Sequence, residues 1–79
     1  MAHDLESLGD FYLRHLDLVS EGELGNVISG LGEYYPNTWA RTRARALRHY
    51  RILNINDTKI WLQLWLRYFL GSIGIYREH

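Results

Sequence analysis

Residues 58–70 read TKIWLQLWLRYFL. Lys59, Gln63 and Arg67 recur every four residues and form the only polar stripe. Ile60, Trp61, Leu62, Leu64, Trp65, Leu66, Tyr68, Phe69 and Leu70 occupy the rest of the circumference. The four-residue spacing predicts a helix. Asn56 or Asp57 would cap its start and Gly71 would stop it. A helix that is apolar nearly all round is buried on most sides, so the rest of the chain must be arranged around this segment.

There is little chain to do so. The protein has 79 residues and a mass of 9.4 kDa, enough for one domain spanning residues 1–79. A domain of this size buries only about 60% of its unfolded surface. Pairwise helix packing would cover about half of the apolar circumference. The expected fold is therefore all-α, a small bundle of three or four short helices completed by oligomerisation. Trp61, Trp65, Tyr68 and Phe69 are the expected anchors of the oligomer or partner interface, because interface hot spots are rich in such residues.

Upstream, Tyr34-Tyr35-Pro36-Asn37 breaks the chain. Asn37 is the expected cap of a third helix over 38–53. At about 100° per residue, Arg41, Arg45 and Arg48 share one side of that helix. Trp39, Ala46, Tyr50 and Leu53 form a large apolar flank, and Ala40, Ala44 and Leu47 a smaller one. Further back, Leu5, Leu8, Tyr12, Leu16 and Val19 make one stripe of a first helix over 4–19. Ser20-Glu21-Gly22-Glu23 fits a capping box that opens a second helix carrying Leu24, Val27, Ile28 and Leu31. Four glycines (Gly22, Gly25, Gly30, Gly32) weaken that helix. Either Gly25 permits a close helix contact, or the segment is short and frayed. Downstream, residues 72–79 read as a further helical turn or two, or as an extended tail using Ile73, Ile75 and Tyr76.

Composition narrows the function. The absence of cysteine excludes disulfide scaffolds, thiolate metal sites and cysteine nucleophiles. His3, His15, His49 and His79 lack metal-ligand spacing, and His49 reads as a surface residue. No metal, cofactor or catalytic constellation is expected, and a chain this small rarely encloses a substrate pocket. Asp4 and Glu6 stand where a signal peptide would be cationic. No apolar run is long enough for a membrane span. The expected location is intracellular and cytoplasmic, with Met1 as a natural start and no membrane partner.

Two features remain. Phe, Trp and Tyr supply 2, 3 and 6 residues, more aromatic bulk than a small sphere hides easily. Zero net charge also conceals an asymmetry. Residues 1–35 carry seven acids against one base, and residues 36–79 carry eight bases against two acids. The two halves could attract each other, or the basic half could attract a polyanion. The first expectation for function is a non-catalytic protein-interaction module that self-associates through the aromatic C-terminal helix, with Arg41, Arg45 and Arg48 steering the partner. The alternative is a dimeric nucleic-acid-binding protein whose Arg41/Arg45/Arg48 face contacts phosphates.

Overall fold

The computed structural model describes residues 2–77. These form four α-helices and one 3-10 turn, with no strand among the described residues: α1 (Ala2–Arg14), the turn Leu16–Leu18, α2 (Glu21–Tyr34), α3 (Pro36–Ile52) and α4 (Thr58–Ser72). The all-α expectation therefore holds.

The helix starts follow from local chemistry. Ser20 and Glu23 make the capping box: the Ser20 hydroxyl accepts from the Glu23 amide, and the Glu23 carboxylate accepts from the Ser20 amide. Asp57 caps α4 by accepting from the amides of Lys59 and Ile60. At α3 the expected Asn37 cap gives way to Pro36 in the first turn, with no side-chain cap. Proline suits this position because its missing N–H is one of the amides a helix start leaves unpaired. One residue, Tyr35, then suffices to connect α2 to α3.

Two ends differ from the sequence reading. The first helix stops at Arg14 rather than near Val19, because His15 leaves helical geometry (φ −137°, ψ 48°). The 3-10 turn that follows carries the Val19 side chain into the core, where a straight helix would have continued past it. At the other end Gly71 remains helical. The left-handed position falls on Gly74 (φ 78°), and the Ile75 and Tyr76 amides both donate to the Leu70 carbonyl. That folded-back segment brings Tyr76 against α4, correcting the extended-tail reading for residues 73–77. Residues 78 and 79 lie outside the described residues.

The core is Leu13, Val19, the α2 stripe Leu24/Val27/Ile28/Leu31, Ala46, and Trp65/Leu66/Phe69/Leu70 of α4. α4 packs against all three other helices, while α1 makes no close backbone approach to α3. Small residues permit the approach. A Cβ on Gly9 would sit 3.1 Å from Leu70 and 3.4 Å from Leu66, and one on Gly32 would sit 2.7 Å from the Trp39 ring. Gly25, expected as the close-contact glycine, has nothing within 4 Å of a built Cβ. Gly32 takes that role because it faces a rigid indole of the neighbouring helix.

Candidate functional site

Trp65 and Phe69 are 7% and 1% exposed, so neither is offered to a partner on the folded surface. Both were expected as interface anchors; within the single chain they are core residues instead. The reason is that three helices, rather than one or two, lie on α4, and the aromatic bulk fills the seam between α3 and α4. Trp39 meets Trp65 at 4.8 Å between centroids, Trp65 meets Trp61 at 5.5 Å, and Trp61 meets Tyr50 at 5.4 Å. Edge and tilted contacts of this kind suit the ring quadrupole. Trp61 and Tyr68, the other two expected anchors, are half-buried.

The arginines behave differently. Arg41, Arg45 and Arg48 are exposed along about 10 Å of α3, at 1.5 Å per residue. None meets a carboxylate of the described residues within 4 Å; the ion pair found there is Arg14 with Asp10, at 3.1 Å. Three acids of the first half are engaged elsewhere. Asp10 holds Arg14, Glu6 accepts from the Tyr35 hydroxyl, and Glu23 serves the capping box with Lys59 nearby. The amide and hydroxyl of Ser20 hold the Glu23 carboxyl below the usual glutamate value, and the field of Lys59 adds to this. Partial burial, then Glu6, push the Tyr35 phenol above its usual value. With α1 kept from α3 by α2 and α4, the acids of α1 do not reach the arginine face.

Between α3 and the end of α4 lies a groove. One part, about 320 Å³, is lined by Arg45, Arg67, Tyr68, Ser72 and Tyr76. The adjoining part, about 350 Å³, is lined by Thr38, Arg41, Thr42 and again Arg45 and Ser72. The Arg45 guanidinium lies 4.4 Å over the Tyr68 ring. The Tyr68 hydroxyl is hydrogen-bonded to His49 Nδ1, and the Ser72 hydroxyl donates to the Tyr68 carbonyl at 2.8 Å. Arg67 and Arg14 both lie over Tyr76, at 5.9 and 5.2 Å. His49 is thus half-buried rather than a surface residue, and it fixes the ring that supports Arg45.

The structure joins Arg41 and Arg45 to one groove and adds Arg67, Ser72 and Tyr76, which the sequence reading did not place there. Arg67 had left a signal, as the last member of the polar stripe of α4. Ser72 and Tyr76 had left none, because their position depends on how the tail folds back.

Planar guanidinium forks match phosphate and carboxylate oxygens in pairs, and a ring beneath one removes part of its motion before a ligand arrives. Among the described residues no group of His, Asp and Glu is placed to hold a metal ion. No helix of the described residues is long and apolar enough to cross a membrane. Comparison with known protein families, curated proteins and solved structures finds no match to this chain.

Proposed function

We propose that the protein is a non-catalytic nucleic-acid-binding module that contacts phosphates through Arg41, Arg45 and Arg48 of α3. One observation supports this reading above the others: three arginines share an exposed helix face, and none of them meets a carboxylate of the described residues. Neutrality of the whole chain argues against a polyanion partner only if the charges are mixed. Here Glu6, Asp10 and Glu23 are occupied with their own neighbours and no acid of the described residues pairs with the α3 arginines, which leaves the field of α3 locally positive. Phosphate contacts of this type position a strand without reading its sequence.

The experiment is retention of a labelled oligonucleotide at low salt. Arg45→Glu reverses one charge at an exposed position and should weaken binding at least tenfold, since both an attraction is lost and a repulsion added. Unchanged retention of single and double strands by this variant would exclude the reading.

Self-association is the second reading, and it has an observation of its own. Ile52 and Leu53 are 71% and 63% exposed at the end of α3, and Ile60 in the first turn of α4 is exposed as well. Vicinal aliphatic side chains so exposed are candidates for burial against a second copy. Sedimentation would then give a mass that rises above 9.4 kDa with concentration. A 9.4 kDa species throughout the micromolar range would exclude it.

A further inference from the structure

The arginines of α3 do not lie on a smooth convex face. Two of them, Arg41 and Arg45, line recesses that they share with Tyr68 and Ser72 of α4. Arg45 is an exposed residue whose guanidinium carbon lies 4.4 Å from the centre of the Tyr68 ring. Its backing is held by His49, whose Nδ1 is hydrogen-bonded to the Tyr68 hydroxyl and whose ring lies edge-on to Tyr68 at 5.3 Å. A guanidinium that stacks on a ring while exposed to solvent offers a second plane on its outer side and a row of N–H donors at its edge. Unstacked bases lie on such planes, and phosphates take such edges.

We infer that this groove is a seat for single-stranded nucleic acid, in which a base stacks on the outer plane of Arg45 and the adjacent phosphates lie against the guanidinium edges of Arg41 and Arg45. The inference rests on the nucleic-acid reading above and narrows it to one class of strand. In a duplex the base faces are covered by their neighbours, so the plane of Arg45 has nothing to receive. Only its charge would then act, and lysine would serve as well. In a single strand the bases are free to turn out and the plane contributes. The two parts of the groove, about 320 and 350 Å³, share Arg45 and Ser72 in their linings, so a strand lying along both would pass that pair. Tyr68 is a positioning residue here, since it acts through Arg45.

The test is fluorescence anisotropy at one low salt concentration, with a labelled single strand and the duplex of the same sequence, on the full chain. Two exposed positions are varied. Arg45→Lys keeps the charge and removes the plane. Ser72→Leu fills the place where the two parts of the groove meet and leaves every arginine intact. The wild type should prefer the single strand. Each variant should lose about fivefold or more on the single strand, the scale of one stacked base, and less than about twofold on the duplex. Equal binding of both strands, with neither variant distinguishing them, would overturn the single-strand inference and leave phosphate binding by α3 standing. Binding of neither strand by the wild type would overturn both.

Discussion

Trp65 marks the difference between a residue that is apolar and one that is available. Its indole lies between Trp39 and Trp61, with Arg43 5.9 Å from its centroid, and only 7% of it is exposed. Trp65→Ala should therefore cost about 3–5 kcal/mol of folding stability, as truncation of a buried tryptophan does. Chemical denaturation reads this directly. A loss below about 1 kcal/mol, within the range typical of substitutions away from the core, would place the ring outside it. At this scale the arginines of α3 were legible in the sequence, because helical periodicity fixes their direction once the helix is granted. The burial of Trp65 and Phe69 was not. It depends on how many neighbours α4 has, and no local pattern counts neighbours.

At the scale of the element, α2 is the case where local chemistry decides most. Four glycines oppose this helix, and the capping box at Ser20 and Glu23 opposes their effect. The box was legible because its four residues are contiguous. The glycine that permits close approach was not, because Gly25 and Gly32 differ only in what the next helix places opposite them. The lowered Glu23 titration gives the box a pH signature. A carboxyl whose folded value lies below its unfolded one adds stability that is present above the ordinary value near 4.5 and is lost as pH falls through the lowered one. Glu23→Gln keeps the hydrogen-bonding shape and removes the charge. The stability difference between wild type and this variant should favour the wild type near neutral pH and shrink as the solution is acidified below about pH 4. Thermal melts across that range would show it, and a difference independent of pH would contradict it.

At the scale of the whole molecule, α1, α2 and α3 all pack on α4 and bury Trp65, Leu66, Phe69 and Leu70, while Ile60 stays exposed and Trp61, Leu62, Leu64 and Tyr68 are half-buried. The 3-10 turn after α1 and the folded-back tail let a short chain reach further round that helix than four straight rods would. Charge follows the same architecture. The halves of the sequence differ by seven acids against one base and eight bases against two acids. The fold leaves that separation in place on α3, since α1 never approaches it. What the sequence could not supply was the groove, whose lining combines Arg41 and Arg45 of α3 with Ser72 and Tyr76 from the end of α4 and the segment after it.

The dependence of oligonucleotide affinity on salt tests the central claim most directly. If Arg41, Arg45 and Arg48 take about three phosphates of a single strand, log K should fall linearly with log salt at a slope near −2, by counterion release of about 0.7 per contact. Arg45→Glu should flatten that slope by about one contact. A wild-type affinity indifferent to salt, or a slope that the substitution leaves untouched, would contradict the account.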